Sequence, residues 1–180
     1  MAYRGRDAVV YRNANALPRV FLVGRQHTVD GEKAALAAAT APGFDGRRTA
    51  VTERALRGLP QDDGIGASRS PGSARLVSYE PERVVATASA PRRSLLVLTD
   101  LHYPGWKASV DDRAVPIERV NYLLRGVPVP AGSHRVEFRY EPATYRAGWI
   151  ISLVSVVAVL IAGLVGWRNR RRLRITPAQS

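Results

Sequence analysis

Apolar and polar residues alternate with a period of two along much of the chain after residue 73. The clearest case is "HRVEFRYE", in which Val136, Phe138 and Tyr140 share one side and charged residues take the other. Successive side chains of a strand point to opposite faces, so this period predicts one face on a core and one face in water.

Six further strand-like runs precede this one, separated by prolines, glycines and short polar turns. They are "ARLVSYE", "RVVATASA", "SLLVLTD", "WKASV", "AVPIERV" and "YLLRGVPV". The middle of "SLLVLTD" is apolar without interruption, which indicates a central strand buried on both faces. Roughly seven short strands predict a mainly β fold, an antiparallel β-sandwich or jelly-roll-like domain at residues 74–148.

The residues before this domain predict a small α+β lobe at residues 1–59. "AVVYRN", "RVFLV" and "TAVTER" have the composition of short strands, and the alanine-rich "GEKAALAAAT" predicts a short helix. Residues 60–73, "PQDDGIGASRSPGS", hold mostly glycine, proline and polar residues. We therefore predict an exposed loop between the lobe and the β domain.

The last apolar run differs in length and pattern. Residues 149–167 read "WIISLVSVVAVLIAGLVGW", 19 residues without a charge. A helix of this length rises about 28 Å, close to the hydrocarbon thickness of a bilayer. Trp149 and Trp167 stand at its two ends, where indole rings favour the headgroup level. We predict a transmembrane helix, with a buried core helix as the alternative.

A basic tail, residues 168–180, follows this helix directly. It contains no acid and five arginines, namely Arg168, Arg170, Arg171, Arg172 and Arg174. Basic flanks are retained in the cytoplasm, so we predict a single-pass protein of a bacterial cell membrane with an extracytoplasmic domain and a cytoplasmic C-terminus. The N-terminal residues hold no apolar signal-peptide core. Either the chain is the end of a longer polypeptide, or it is tail-anchored with its domain in the cytoplasm.

The composition argues against several classes of site. The chain has no cysteine, so it holds no disulfide and no thiolate metal site. His27, His102 and His134 are far apart and lack zinc-ligand spacing, so we expect neither a metal nor a cofactor. The net charge of +12 comes partly from the tail, and no nucleic-acid-binding motif accompanies it. We expect no nucleic-acid partner.

No catalytic motif is present. The sequence lacks G-x-S-x-G, H-E-x-x-H, a Walker loop and a dinucleotide fingerprint. The acidic pairs Asp62–Asp63 and Asp111–Asp112 are adjacent residues in turn-like stretches, where aspartates commonly serve turn geometry. We predict no catalytic residue.

One candidate ligand site lies in the stretch "DLHYPGWK". A sugar site needs an exposed aromatic ring beside carboxylates and other polar groups, and five residues here would supply them: Asp100, His102, Tyr103, Trp106 and Lys107. In the alternative interpretation, "PG" forms a tight turn and the tryptophan packs in the core. That tryptophan shares a strand face with two apolar residues of "WKASV", which favours the core.

The order of short motifs resembles the C-terminal region of the bacterial YfhO-like membrane protein family. The motifs are "YPGW", a "VD" hairpin, "PIERVNY" and "PAGSHRVEFRYEP" before a terminal helix. The upstream "VYRNANALPRVFLV" is also similar to a segment of that family. The resemblance covers about residues 10–167.

The resemblance implies a relation to large polytopic glycosyltransferases of the GT-C type. Such enzymes transfer a sugar from a polyprenyl-phosphate carrier outside the cytoplasm. Their acidic catalytic residues belong to a multi-helix part, whereas this chain has one apolar helix, so no catalytic residue carries over. We expect an accessory domain of cell-envelope biogenesis that is not catalytic alone. Its expected partners are the lipid bilayer, the multi-helix part, and a glycan or polyprenyl-linked sugar.

The alternative is a stand-alone membrane-anchored module that binds cell-envelope glycan or a partner protein. This alternative needs Trp106 as an accessible ring for the sugar. The leading interpretation does not need it, so the surroundings of Trp106 bear on the choice between the two.

Overall fold

The structure, a computed structural model, describes residues 3–5, 7–11, 13, 16–63 and 70–173. The chain divides into two compact units, Met1–Tyr140 and Glu141–Ser180. The first unit is almost entirely β and the second holds one long helix. The mainly β fold with a C-terminal apolar helix is therefore confirmed.

The described residues contain thirteen strands and two helices. The strands are β1 (Tyr3–Arg4), β2 (Val9–Val10), β3 (Val20–Val23), β4 (Arg25–Thr28), β5 (Thr49–Thr52), β6 (Ser73–Glu80), β7 (Arg83–Ala90), β8 (Ser94–Leu101), β9 (Trp106–Val110), β10 (Arg113–Val115), β11 (Glu118–Val120), β12 (Leu124–Val129) and β13 (Gly132–Tyr140). The helices are α1 (Glu32–Ala39) and α2 (Ala143–Leu173).

Two sheets make up most of the first unit. The five-stranded sheet has the order β10-β9-β13-β7-β6, and the six-stranded sheet has the order β3-β8-β12-β11-β5-β4. Strands β1 and β2 form a separate pair. The described pairs are antiparallel except for β4 and β5, which are parallel. Helix α1 provides the crossover connection that a parallel pair requires.

The main core contains side chains from both sheets. Alternate residues of the central strands contribute to it, as a period of two requires. Its members from β7, β8 and β13 are Val84, Ala86, Ala88, Ala90, Leu96, Leu98, Val136 and Phe138. Burial of these apolar side chains is the dominant favourable contribution to holding the two sheets face to face.

A second, smaller core covers the other face of the six-stranded sheet. Leu95 and Val97 of β8 pack there with Leu56 and Leu59 from the segment after β5. Strand β8 is therefore buried on both faces, as its uninterrupted apolar run predicted.

Strand β4 is absent from the sequence analysis because its residues, "RQHT", carry no apolar signal. Its buried residue is Gln26, whose Nε2 donates to the carbonyl oxygens of Leu56 and Leu59 at 3.0 and 2.5 Å. The Gln26 Oε1 accepts from the Leu56 N–H at 2.8 Å. A fully bonded amide thus takes the place of an apolar side chain.

Apart from the β1–β2 pair, the strands of the predicted N-terminal lobe do not form a sheet of their own. β3, β4 and β5 join β8, β11 and β12 in the six-stranded sheet. The six-stranded sheet therefore draws on both sides of the predicted loop, which local patterns could not reveal. The boundaries at residues 59, 73 and 148 stay predictions, and residues 64–69 of the loop lie outside the described part of the chain.

Helix α2 contains a candidate membrane span. The stretch Gly148–Arg168 is 21 residues long with a mean hydropathy of 2.6, and its side chains are exposed. At a rise of about 1.5 Å per residue it extends about 32 Å, enough to cross the hydrocarbon of a bilayer. Within the described residues it is the one helix with this length and composition.

Candidate functional site

The stretch singled out by sequence forms the connection between β8 and β9. Pro104 and Gly105 make a turn, and Gly105 has a φ of +98°, which glycine adopts without steric cost. This turn brings the end of β8, in one sheet, next to the start of β9, in the other. The site is therefore built where the chain passes between the two layers.

A β-bulge shapes the end of β8. Neighbouring residues of β12, Leu124 and Arg125, pair with residues of β8 that are three positions apart. Thr99 and Asp100 consequently have no partner on β12. Bulges bend a strand and re-aim its side chains, and this one separates Asp100 from the regular ladder.

The Asp100 carboxylate is held by two donors. The Tyr79 hydroxyl donates to its two oxygens at 3.1 and 3.2 Å, and Arg19 Nη1 donates to Oδ1 at 3.1 Å. The Arg19 guanidinium also lies 5.2 Å from the Tyr79 ring centroid. Burial, reinforced by the Asp100 charge, raises the pKa of the Tyr79 hydroxyl. Asp100 thus links β6 and β8, which belong to different sheets.

Trp106 is half-buried and packs against the main core. Its ring centroid lies 5.4 Å from that of Tyr140, with the ring planes inclined at 44°. The guanidinium carbon of Arg125 lies 3.8 Å from the Trp106 ring centroid. Because a cation covers one face of this indole, that face is not an open platform for a sugar ring.

Arg125 is the central cation of the cluster and is only 5% exposed. Its Nε donates to the Leu101 carbonyl at 2.8 Å, and its Nη1 has no hydrogen-bond partner among the described residues. Burial lowers the pKa of Arg125, while the charge of Asp100 opposes that shift. A cation placed on a desolvated aromatic face gains roughly 2 kcal/mol, which offsets part of its burial cost.

The structure groups some predicted site residues and separates others. Asp100 and Trp106 share the Arg125 cluster. The side chains of His102, Tyr103 and Lys107 are exposed outside it. The His102 backbone N–H donates to the Leu123 carbonyl oxygen at 2.7 Å. This hydrogen bond fixes the loop to the turn between β11 and β12. The role of all five residues in ligand binding stays a prediction.

Four residues of the cluster were not among the predicted site residues: Arg19, Tyr79, Arg125 and Tyr140. Arg125 did leave a signal, since it interrupts the apolar run "YLLRGV", and arginine is almost never fully buried without partners. Arg19 and Tyr79 carry no such local signal. Their contacts join distant strands, with 81 and 21 positions between them and Asp100.

The predicted membrane anchors lie on α2. Trp149 and Trp167 are exposed near the two ends of the candidate span, and Arg168 is exposed at its last position. Arg170, Arg171 and Arg172 continue the same helix, while their side chains and the tail beyond residue 173 lie outside the description. The anchoring role of these residues stays a prediction.

A comparison with protein-family models gives one informative match. The family described as bacterial membrane protein YfhO matches residues 69–152. This segment is similar to the YfhO family. The match confirms the resemblance read from the motifs, over just under half of the chain. It covers β6 to β13 and the first part of α2, so the YfhO segment includes the Arg125 cluster apart from Arg19.

Neither the curated proteins nor the solved structures include a significant match to this chain. The inference of function therefore rests on the YfhO match and on the geometry of the Arg125 cluster and the apolar helix. Together they describe a membrane-protein domain of β-sandwich type with one candidate membrane helix.

Proposed function

We propose that this chain is the membrane-anchored, extracytoplasmic C-terminal domain of a YfhO-like membrane protein. In this proposal it assists the transfer of sugars from polyprenyl-phosphate carriers in cell-envelope biogenesis. The observation that carries the proposal is the YfhO match over residues 69–152, because the matched segment includes both the β-sandwich strands and the start of the apolar helix.

The orientation in the membrane follows from charge. Four arginines lie within the five residues after Trp167, and basic residues next to a membrane helix are retained on the cytoplasmic side. The part of the chain before the helix carries both signs of charge, with acids among its arginines. This asymmetry supports a cytoplasmic C-terminus and an extracytoplasmic β domain.

The proposed role is assisting rather than catalytic. In the Arg125 cluster, the polar groups contact one another: Asp100 accepts from Tyr79 and Arg19, and Arg125 covers Trp106. A general base must reach the proton it abstracts, and a carboxylate held by two donors is poorly suited to that task. The cluster instead joins the two sheets, which supports a structural role in positioning the domain.

A transfer assay separates the assisting role from a catalytic one. The purified full chain in detergent, given a polyprenyl-phosphate-linked sugar and an envelope fraction as acceptor, should transfer no sugar. Membranes of the host should transfer it, and membranes whose protein lacks residues 74–140 should transfer much less at equal protein level. Sugar transfer by the purified chain alone would contradict the proposal.

The size of the native product distinguishes the two interpretations of the chain. An antibody against residues 74–145 should detect a host membrane protein much larger than 19.7 kDa if the chain works as part of a polytopic enzyme. A product near 19.7 kDa would instead favour the stand-alone anchored module.

A further inference from the structure

A cleft of about 830 Å³ lies on the five-stranded sheet, away from the Arg125 cluster. Strands β6, β7 and β13 provide most of its lining, and the turn after β9 contributes Asp111. The sequence pattern predicted only strand and turn positions for these residues. The cleft is open and shallow, which suits a ligand that lies across strands.

The strand register arranges the lining side chains in two rows. In the first row, Arg75 of β6 pairs with Thr87 of β7, and Thr87 pairs with Arg135 of β13. Directly opposed residues project from the same face of a sheet. Neighbouring strands are about 4.8 Å apart, so the backbones of the two arginines stand about 10 Å apart with a threonine between them.

The second row consists of three serines. Ser73 of β6 pairs with Ser89 of β7, and Ser89 pairs with Ser133 of β13. All six residues of the two rows are exposed, whereas the intervening Ala86, Ala88 and Val136 are buried in the main core. Small residues on β7 therefore form a low floor between two arginine-bearing strands.

The donors of this face are available for a ligand. Within the described residues, the hydroxyls of the two rows make no hydrogen bond with another residue, and Arg75 makes no ion pair. Arg135 Nη2 lies 3.7 Å from Glu137 Oε2. That carboxylate already accepts two hydrogen bonds from Arg83, at 2.9 and 3.0 Å.

The Asp111 carboxylate, which lines the cleft, already has partners within the protein. Asp111 Oδ2 lies 2.6 Å from His134 Nδ1, and Asp111 Oδ1 accepts the Arg135 backbone N–H at 2.8 Å. The Asp111 charge is therefore directed at groups of the protein. What remains for a ligand is two guanidinium groups and a set of hydroxyls, a lining that attracts negative charge.

We propose that this cleft binds an acidic carbohydrate. Its carboxylate or phosphate group lies between Arg75 and Arg135, because guanidinium forks match both oxyanions with paired hydrogen bonds. The sugar hydroxyls meet the serine row and Thr87, whose hydroxyls both donate and accept. The inference concerns the isolated chain, so it stands or fails separately from the proposed role in sugar transfer.

Binding of defined probes to the full chain in a neutral detergent tests the ligand class. Isothermal titration would compare tetragalacturonate and glucose 6-phosphate with neutral maltotetraose, inorganic phosphate and tetraglutamate. We expect at least one acidic sugar to bind about tenfold more tightly than maltotetraose, inorganic phosphate and tetraglutamate. The two acidic sugars distinguish a carboxylate from a phosphate ligand. Equal binding of tetraglutamate, or no binding of either acidic sugar, would overturn the proposal.

Matched variants test the location. The double variant Arg75→Gln/Arg135→Gln should weaken acidic-sugar binding about tenfold or more, and Ser89→Phe, which fills the floor without changing charge, should weaken it as well. The control Arg57→Gln/Lys33→Gln removes the same charge from exposed residues outside the cleft and should bind as the parent does. Loss of binding in the control to the same extent, or full binding by the double variant, would contradict the assignment.

Discussion

Arg125 is the residue whose environment differs most from what its sequence position suggests. It sits in an apolar strand, yet its guanidinium is buried on the face of Trp106 and bonded to the Leu101 carbonyl. Removing it would leave that carbonyl without its donor and the indole face without its cover. Both losses act on the connection between the two sheets.

The variant Arg125→Ala should lower the free energy of unfolding by about 2–4 kcal/mol, through the lost cation–π contact and the unpaired carbonyl. In a Trp149→Phe/Trp167→Phe background, Trp106 emission should also move to longer wavelength as its face meets water. Chemical denaturation and fluorescence measure the two effects. Arg57→Ala, at an exposed arginine, is the control, and a loss no greater than the control's would refute the structural role of Arg125.

Glu137 makes the stability of the β domain depend on pH in the acid range. Hydrogen bonds from Arg83 and Arg139 hold the pKa of the Glu137 carboxyl at about 2, below its ordinary value of 4.5. The stabilisation is therefore present above about pH 4.5 and is lost as the pH falls towards 2. Denaturation curves should show a flatter acid dependence for Glu137→Gln than for the parent, and parallel curves would contradict this.

His134 makes the stability of the β domain depend on pH in the opposite direction. Its hydrogen bond with Asp111 raises the pKa of the imidazole above its ordinary 6.5 and lowers the pKa of Asp111. The stabilisation that protonated His134 provides is fully present below pH 6.5, and it is lost as the pH rises through the pKa of His134 in the folded protein. Stability of the parent should therefore fall as the pH rises above about 6.5. His134→Gln should remove most of that fall, and an unchanged fall would exclude this ion pair as its cause.

At the scale of elements, the apolar pattern was sufficient for strands that alternate or are buried on both faces. β13 and β8 are in these two classes, and their residues matched the predicted runs closely. The run "AVPIERV" was predicted as one strand but forms two, β10 and β11, which belong to different sheets. Pro116 lies between them and lacks the N–H that a continuous ladder needs.

The candidate site was only partly accessible to sequence reasoning. Asp100 and Trp106 stand close together in one motif, so their local composition identified them. Arg125 and Tyr79 reach them from other strands, and the β-bulge that re-aims Asp100 depends on the pairing of β8 with β12. Such contacts are set by strand register and sheet packing, which a period of two along one strand does not specify.

Gly72, the residue immediately before β6, lies close to the backbone of β7. It has a φ of +107°, and a Cβ added there would lie 2.0 Å from the Ser89 carbonyl oxygen. Gly72→Ala should therefore lower the free energy of unfolding by about 2–4 kcal/mol, through backbone strain and a clash with the neighbouring strand. Thermal and urea unfolding measure the effect.

Gly46→Ala is the matched control for Gly72→Ala. A Cβ at Gly46 would meet its nearest neighbours at 3.5 Å, an ordinary contact. We expect this variant to change stability much less than Gly72→Ala. Equal stability of the two variants would show that the close approach of β6 and β7 is not the reason for glycine at position 72.

At the scale of the whole molecule, two compact units combine a β domain that matches the YfhO family from residue 69 onward with a helix long enough to cross a membrane. The apolar helix is long enough to cross a bilayer, and the β domain is the part proposed to assist sugar transfer. The proposed function adds an orientation in the membrane, with the β domain on the extracytoplasmic side and the arginine tail in the cytoplasm. That orientation is the central claim, because sugar transfer from polyprenyl carriers takes place outside the cytoplasm.

Cysteine accessibility in intact host cells tests the orientation most directly. The chain has no cysteine, so Arg57→Cys in the β domain and Ser180→Cys in the tail each introduce the single thiol of this sequence. With a membrane-impermeant maleimide, Arg57→Cys should be labelled in intact cells, and Ser180→Cys should be labelled only after lysis. Labelling of Ser180→Cys in intact cells together with protection of Arg57→Cys would place the β domain in the cytoplasm and contradict the account.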